Sequence, residues 1–192
     1  RSGLFTTRWF RGVLEVRTRR MPRLYDLKWE KPPPLVERYL RVEVDERIDR
    51  YGEIQKPLDR ADARQAIERL LAEDVEAIAI CLINSFVNPV HEQLIVEVMQ
   101  EMAPDLPCCI SYNVLPEIKE YERTSTTVIN AYLLPVIASY LDSLVAKLQD
   151  EGVQAPLLLM QSNGGLTTVN QTRSLPLPLT TSRPHPLYPT HA

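Results

Sequence analysis

A continuous apolar run from Ala77 to Ile83 constrains the fold of this chain more than any other feature of its sequence. Its length and its β-branched isoleucines suit a strand rather than a helix. A strand that is apolar on both faces must be covered on both faces, which is typical of parallel sheets packed between helices. We therefore expect an α/β domain with a parallel sheet.

Helix signals on either side of this strand predict a strand–helix–strand unit. Asp59 is placed to cap a helix whose apolar residues recur at helical spacing. Asn88 is predicted to cap a second helix, with Pro89 in its first position, and residues 108–112 read as the next strand. Short connections then predict parallel strands with a right-handed crossover. The inward faces are Ala63, Ala66, Ile67, Leu70 and Leu71 in the first helix and Leu94, Ile95, Val98 and Met99 in the second.

The flanking segments give weaker patterns. Apolar and polar residues alternate over residues 39–48, which predicts a half-buried strand, and Ile54 begins a possible hairpin partner. Residues 10–17 fit a helix or a strand equally, and the prolines between Pro22 and Pro34 predict an extended connector.

The C-terminal half begins with a long helix predicted from Thr124 to about Gln149, kinked at Pro135 and ended by Gly152. Residues 157–160 predict a third buried strand, followed by a glycine-containing loop. The helix face predicted to be buried is Ile129, Leu133, Val136, Ile137, Tyr140, Leu141, Leu144 and Leu148.

Composition excludes several function classes. Hydrophobic residues make up 44% and charged residues 24%, with a net charge of −3, so an ordinary globular domain without a nucleic-acid partner is expected. Neither the cysteines (Cys81, Cys108, Cys109) nor the histidines have metal-ligand spacing, so no metal site is expected. The cysteines read as buried reduced thiols of a cytoplasmic protein. No uninterrupted apolar stretch reaches the roughly 20 residues of a membrane span, so no membrane partner is expected.

The first candidate site is the segment Glu122–Thr127, at the head of the predicted long helix. A helix N-terminus offers unpaired N–H groups and a partial positive charge, which suit an anion or a carbonyl oxygen. The candidate binding residues are Arg123, Thr124, Ser125 and Thr126. The alternative is that Thr124 or Ser125 only caps the helix.

The second candidate site is the loop at the end of the third strand, comprising Ser162, Asn163, Gly164 and Gly165. Ligands of open parallel sheets bind at the carboxyl ends of strands, and amides freed by two glycines can hold an oxygen. The alternative is an ordinary strand-to-helix turn. Neither a P-loop nor a dinucleotide fingerprint is present, and no catalytic residue is assigned.

Both motifs resemble signatures of the hydantoinase A / 5-oxoprolinase family. The similar segments are 120–132 and 160–166, together with 23–27 and 84–92, and the resemblance runs from about residue 3 to about residue 173. It implies a partial actin-like ATPase (ribonuclease H-like) fold with parallel βαβ units.

The resemblance also implies a chemistry. The family uses ATP and Mg²⁺ to activate the carbonyl of a cyclic amide, such as 5-oxoproline or N-methylhydantoin, before water opens the ring. The two candidate segments would then hold substrate or phosphate oxygens, and a hydantoinase B-type subunit or domain would be the partner.

Departures from the family pattern predict a fragment truncated at both ends. The glycine-rich phosphate hairpin of the family is missing, and Trp9 and Gly12 stand where a glycine and an acidic residue are expected. The expected parts are the end of the N-terminal domain (1–122), the start of the hydantoinase A domain (123–173) and a disordered or non-native tail (174–192). We therefore expect this chain alone to be inactive and to bind no Mg-ATP tightly.

Two other functions fit the same resemblance. One is a subunit of an ATP-dependent ketone carboxylase, acting on acetone or acetophenone, which activates a different carbonyl in the same way. The other is an inactive remnant that contacts a partner subunit.

Overall fold

The structure is a computed structural model that describes residues 1–16, 32–153, 155–162 and 164–176. The motif at 23–27, Asn163 and the tail beyond residue 176 lie outside these residues, so the predictions made for them stay predictions. The strands are β1 (Ser2–Thr7), β2 (Arg41–Val44), β3 (Arg47–Ile48), β4 (Ile54–Lys56), β5 (Ala77–Cys81), β6 (Cys108–Ile110), β7 (Leu158–Met160) and β8 (Leu166–Thr168). The helices are α1 (Arg60–Leu71), α2 (Val90–Met102), α3 (Ser111–Val114), α4 (Glu120–Asp150) and α5 (Val169–Ser174), with short 3-10 turns at Val13–Glu15 and Arg38–Leu40.

A four-stranded parallel sheet forms the core of the first half of the chain. Its strand order is β2-β1-β5-β6, and Phe5 of β1 lies opposite Val42 on one side and Ile80 on the other. All five residues of β5 are buried, as the apolar run predicted. β5 and β6 are parallel neighbours joined through α2, which confirms the predicted strand–helix–strand unit.

Helices α1 and α2 keep close to their predicted limits. Asp59 caps α1 by accepting a hydrogen bond from the Ala61 N–H (2.9 Å). Helix α2 begins one residue later than predicted, with Pro89 as its N-cap. Asn88 still assists this end, because its Oδ1 accepts from the Val90 N–H (3.2 Å).

Two strand predictions need correction in their limits, and the structure decides a segment that the sequence leaves open. The segment predicted as one strand over 39–48 is a 3-10 turn followed by β2 and the short β3, and β3 forms the expected antiparallel hairpin with β4. The ambiguous segment 10–17 contains the first 3-10 turn. The strand predicted over 108–112 ends at Ile110, where α3 begins.

Helix α4 differs from the prediction in its start and in its buried face. It begins at Glu120 rather than Thr124, and of the predicted face only Leu141 is buried. Val136 and Tyr140 are 63% and 61% exposed. The buried positions instead include polar residues that form hydrogen bonds at the edge of the sheet. A search for apolar residues at helical spacing cannot identify such positions. The buried residues are Arg123, Thr124, Thr127, Val128, Asn130, Ala131, Leu134 and Leu141.

Helix α4 is also long and apolar enough to meet the length and hydropathy criteria of a membrane span, with a mean hydropathy of 1.5 over an 18-residue window that is 28% buried. The helix contains no long uninterrupted apolar run, because polar residues are scattered along it. One such helix is weak evidence for a membrane, since core helices of soluble proteins meet the same criteria.

The chain divides into two compact units, residues 1–131 and 132–192, with α4 contributing to both. In the second unit β7 and β8 form an antiparallel hairpin rather than joining a parallel sheet. The prediction that residues 157–160 form a buried strand is wrong, because Leu158 and Met160 are 51% and 72% exposed. The predicted join near residue 122 stays a prediction about family domains.

Candidate functional site

Polar side chains converge where the parallel strands of the first unit end. Thr7 closes β1, the segment Leu82–Ser85 follows β5, and Ser111 follows β6. Because the strands are parallel, their carboxyl ends meet at one edge, which is where ligands bind in such sheets. Thr7, Ser85 and Ser111 are at most 1% exposed, so they form a buried polar layer at this edge.

Glu92, in the first turn of α2, is a centre of this layer. It is fully buried and accepts from the Leu82 N–H (3.0 Å), the Ser111 hydroxyl (2.6 Å) and the Tyr112 N–H (3.2 Å). One carboxylate thereby ties the end of β5 to the end of β6. Burial raises the pKa of Glu92, while the donors from Ser111, Leu82 and Tyr112 act in the opposite direction.

Arg123 of α4 reaches the same layer and is fully buried. Its Nη1 donates to the Ser85 hydroxyl (2.6 Å), and its guanidinium lies 5.5 Å from the centroid of the Phe86 ring. Its Nε is buried without a hydrogen-bond partner in the described part of the chain. Such a donor costs free energy unless an acceptor reaches it.

Neighbouring turns of α4 attach to the same strands. Thr124 Oγ1 lies 3.1 Å from Cys81 Sγ, and Cys109 Sγ contacts the Thr127 carbonyl oxygen at 3.5 Å. Burial raises the pKa of both Cys81 and Cys109, the latter to about 12. These thiols are therefore neutral packing groups rather than nucleophiles, as the sequence predicted.

A second cluster of buried polar side chains is centred on Glu46. This residue follows β2 and contacts side chains of β1 and α2. Its carboxylate accepts from the Thr7 hydroxyl and lies 2.7 Å from His91 Nδ1. Thr7 Oγ1 in turn accepts from the Ile83 N–H (2.9 Å). Since His91 Nε2 accepts from the Leu58 N–H (3.3 Å), the other ring nitrogen must carry the proton. These bonds fix His91 as the neutral tautomer that donates from Nδ1 to Glu46.

The structure changes the interpretation of the first predicted segment. Arg123 and Thr124 are buried, while Ser125 and Thr126 are half-buried. Because α4 begins at Glu120, these residues do not stand at its N-terminus, and the Arg123 N–H already donates to the Lys119 carbonyl (2.9 Å). The predicted anion pocket of free helix N–H groups is therefore wrong in its mechanism. Binding through the side chains stays a prediction.

The second predicted segment is a hairpin turn between β7 and β8 rather than a strand-to-helix turn. Gly164 has a φ of +86°, which explains the need for glycine, and its N–H donates to the Gln161 carbonyl (2.9 Å). The Gly164 amide is therefore not freed as predicted, and the Gln161 N–H donates to the Gly165 carbonyl (2.7 Å). Ser162, Gly164 and Gly165 belong to the second unit and Arg123 to the first. Binding by this loop stays a prediction.

Sequence reasoning missed the residues at the centre of the polar layer, although a signal was present. His91 and Glu92 share the buried face of α2 with Ile95, Val98 and Met99. Ionisable residues on an apolar helix face need buried partners, so their position alone indicates a polar group at the core. Their partners Glu46, Ser85 and Ser111 come from distant segments and carry no such mark in the sequence.

The N-terminal arginines that the structure describes line a separate charged cleft of about 850 Å³. Asp45 lies between two cations, with Arg8 Nη1 at 2.9 Å and Lys56 Nζ at 2.6 Å. Arg41 is buried and bonds to Glu15 Oε1 (3.0 Å) and to backbone carbonyls. The cleft is lined by five basic residues (Arg8, Arg11, Arg41, Lys56, Arg69) and five acidic residues (Glu43, Asp45, Asp59, Asp62, Glu73). This balance gives it no preference for an anion over a cation. Over the residues that the structure describes, no group of three or more metal-ligating side chains converges.

Comparison with known proteins decides the family. The hydantoinase/oxoprolinase N-terminal region matches residues 1–103, and the hydantoinase/oxoprolinase family matches residues 123–185. The chain belongs to the hydantoinase/oxoprolinase family. The second match ends within the segment predicted to be a non-native tail.

Individual relatives place the chain within this family. It is 39% identical over 181 residues to the uncharacterized protein MJ0964 of Methanocaldococcus jannaschii, covering 94% of this chain and 27% of that protein. It is 40% identical over 142 residues to caprolactamase subunit alpha of Pseudomonas jessenii, covering 74% of this chain and 20% of that subunit. The chain therefore spans about a quarter or less of these relatives.

Solved structures confirm the fold class. The crystal structure of the ATP-dependent caprolactamase from Pseudomonas jessenii matches with a TM-score of 0.80 and 37% identity, over 88% of this chain and 25% of that chain. The nucleotide-free structure of acetone carboxylase matches with a TM-score of 0.74 and 25% identity, over 92% of this chain and 27% of that chain. The parallel α/β architecture and these neighbours are consistent with part of an actin-like ATPase fold.

Proposed function

We propose that this chain is part of a cytoplasmic enzyme that uses ATP to open a cyclic amide, with 5-oxoproline, a hydantoin or a related lactam as the substrate. The observation that carries the proposal is the match to the ATP-dependent caprolactamase, in sequence and in fold, across most of the chain. The buried polar layer at the carboxyl edge of the sheet supports it, because it lies where a ligand of this fold class is expected.

Arg123 is the described residue best suited to act in such a reaction. Opening a lactam places negative charge on the carbonyl oxygen, and phosphoryl transfer places charge on phosphate oxygens. A buried guanidinium is a strong donor to either group, since little water competes for it. Its unpartnered Nε fits an anionic oxygen of substrate or nucleotide. Thr124, Ser125 and Thr126 are proposed to bind beside Arg123 in the first unit. Ser162, Asn163, Gly164 and Gly165 are proposed separately as binding residues of the second unit.

The described residues suit the phosphate of ATP but not Mg²⁺. Arg123 suits a phosphate oxygen, but the described residues do not bring together the carboxylates that hold magnesium. We therefore propose that this chain contributes anion contacts, and that the metal ligands belong to other parts of the complete enzyme. A hydantoinase B-type subunit or domain is the proposed partner, in keeping with the name of the caprolactamase relative, which is a subunit.

A ketone carboxylase subunit is the second candidate, because acetone carboxylase matches over 92% of the chain. Both reactions activate a carbonyl group, so the described residues fit either one. The substrate distinguishes them, since only the carboxylase needs a ketone and bicarbonate.

The test is ATP hydrolysis by a complete protein that contains these residues. We expect 5-oxoproline, hydantoin or caprolactam to stimulate it. Stimulation by acetone or acetophenone with bicarbonate would instead identify the carboxylase, and no stimulation by any of these compounds would favour an inactive or purely structural role. Arg123→Lys, which keeps the charge and most of the volume, should lower kcat/KM by roughly 10²-fold. Because Arg123 is fully buried, turnover must be expressed per folded molecule.

A further inference from the structure

Among the residues that the structure describes, no acidic side chain bonds directly to the buried Arg123 guanidinium. Its Nη1 donates to a hydroxyl, that of Ser85. A cation that is taken out of water needs nearby negative charge or a full set of acceptors. The nearest carboxylate in the same network is Glu92, which the guanidinium reaches through two serines.

The serine hydroxyls can be ordered by counting their protons. Ser85 and Ser111 lie 3.1 Å apart (Oγ to Oγ), and Ser111 Oγ lies 2.6 Å from Glu92 Oε1. Each hydroxyl has one proton to donate. Above the pKa of Glu92, where this carboxyl is ionised, Ser111 must give its proton to Glu92, because an ionised carboxylate can only accept. Ser85 accepts from Arg123 and has its own proton available for Ser111.

This assignment leaves the Leu82 carbonyl with one hydrogen-bond donor. Ser85 Oγ also lies 2.9 Å from the Leu82 carbonyl oxygen, which is the competing acceptor for its proton. That carbonyl already accepts from the Ser85 N–H (3.4 Å). Directing the Ser85 proton to Ser111 rather than to the Leu82 carbonyl gives the chain of donors Arg123 → Ser85 → Ser111 → Glu92, with every step at 3.1 Å or less.

We propose that Glu92 is a positioning residue that orients Arg123 through this hydroxyl-bridged ion pair. The carboxylate fixes the direction of both hydroxyls, and the hydroxyls hold Nη1, so that Nε is kept as the donor for an anionic ligand. The inference rests on the proposed role of Arg123 in the site. It adds a residue that acts on the site through Arg123, at a position that joins three elements: α2, the end of β5 and α4.

The alternative role for Glu92 is purely local. Its bonds to the Leu82 and Tyr112 N–H groups would hold two loops whether or not the bridge to Arg123 exists. Removal of the Ser111 or Ser85 hydroxyl distinguishes the two roles. It breaks the bridge to Arg123 but keeps the bonds from the Leu82 and Tyr112 N–H groups to Glu92. The test must therefore report on the guanidinium itself.

The experiment is NMR of the Arg123 Nε–H group in this chain, assigned by its loss in Arg123→Lys. Ser111→Ala, Ser85→Ala and Glu92→Gln should each shift the Nε–H resonance and speed its exchange with water about tenfold or more, because each removes one bond of the bridge. Glu97→Gln is the matched control, since Glu97 lies on the exposed face of the same helix, and it should leave the resonance in place.

An unchanged Arg123 Nε–H resonance in Ser111→Ala would overturn the proposal and leave Glu92 as a loop anchor. If Glu92→Gln does not fold, Ser111→Ala decides the question alone, because it leaves both loop N–H bonds of Glu92 intact. Turnover in the complete protein gives a separate readout, in which the bridge variants should lower kcat more than they change KM. Absence of turnover would count against the proposed function, whereas the NMR result would still decide whether Glu92 positions Arg123.

Discussion

At the residue scale, Trp9 holds a backbone conformation that tryptophan rarely adopts. Its φ is +76°, in the left-handed region that favours glycine because Cβ crowds the backbone there. The side chain is 84% exposed, so burial does not offset the strain. Its backbone N–H donates to Glu43 Oε1 (2.9 Å), which holds the turn. A glycine, expected here from the family resemblance, would make the same bond without strain.

We therefore predict that Trp9→Gly stabilises the fold by about 1 kcal/mol, after allowance for the exposed contact between Arg8 and the Trp9 ring. Urea unfolding followed by circular dichroism measures this difference. Asp74→Gly is the control, since Asp74 also has a positive φ (+52°) but aspartate tolerates that region better. Its gain should be smaller, and a lower urea midpoint for Trp9→Gly would contradict the prediction.

The buried carboxyl of Glu92 makes a prediction about pH. Burial raises its pKa in the folded protein above the value of about 4.3 for an exposed glutamate. Between these two values the folded state binds more protons than the unfolded state, so the contribution of Glu92 to stability falls as pH rises. The ionisable groups near it among the described residues are Cys81, Cys109 and Arg123; burial keeps both thiols neutral at these pH values.

The free energy of unfolding of the parent chain minus that of Glu92→Gln should therefore decrease as pH rises from about 4. It should become constant above the folded-state pKa. Denaturant titrations at a series of pH values, with Glu97→Gln in parallel, give the two curves. A difference that does not vary with pH would show that Glu92 has the same pKa folded and unfolded.

At the element scale, the N-terminus of α1 tests a feature that the sequence predicted and the structure confirmed. Asp59 accepts from the Ala61 N–H, and α1 packs Ala66, Ile67 and Leu70 into the core. We predict that Asp59→Ala destabilises the first unit by about 1 kcal/mol, whereas Asp59→Asn, an equally good cap, changes stability little. Thermal unfolding of the three proteins checks this, and equal losses in both variants would point to the charge rather than the cap.

Elements could be predicted where local signals agree with the final packing. β5 was predictable because an apolar run of that length needs two covered faces, and α1 because a cap and an apolar face coincide. The face of α4 was not predictable, since Arg123, Thr124 and Asn130 are buried against partners that are distant in sequence. β7 reads as a core strand by composition, yet it lies in an exposed hairpin.

The candidate site was predictable in part for the same reason. Arg123 was identified from its motif, but its setting was wrong because helix α4 starts one turn earlier than its caps suggested. Glu92 and His91 lie in the family-like segment 84–92 but were given no role, because that role depends on Ser111, Ser85 and Glu46, which only the parallel sheet brings together. A hydrogen-bond network across strand ends leaves no periodic trace in the sequence.

At the scale of the whole molecule, the second unit presents apolar side chains to solvent. Tyr132, Val136 and Tyr140 recur every fourth residue along α4 and are 50%, 63% and 61% exposed. A stripe at this spacing is the pattern of a helix face that packs against another surface. In the same unit the hairpin exposes Leu158, Met160 and Leu166. Exposed apolar side chains that adjoin along a helix face favour association.

We predict that the chain self-associates through this surface as its concentration rises. Val136→Lys with Tyr140→Glu replaces two exposed apolar side chains by charges of opposite sign at helical i, i+4 spacing, which keeps the helix stable while removing apolar area. Sedimentation velocity over a range of concentrations should show larger species for the parent chain and a shift toward the monomer for the double variant.

Tyr51→Lys is the control, because Tyr51 is 71% exposed but lies in the first unit, and it should leave the distribution unchanged. A parent chain that sediments as a monomer at every concentration would contradict the prediction. If Tyr51→Lys also restored the monomer, association would not depend on the stripe of α4.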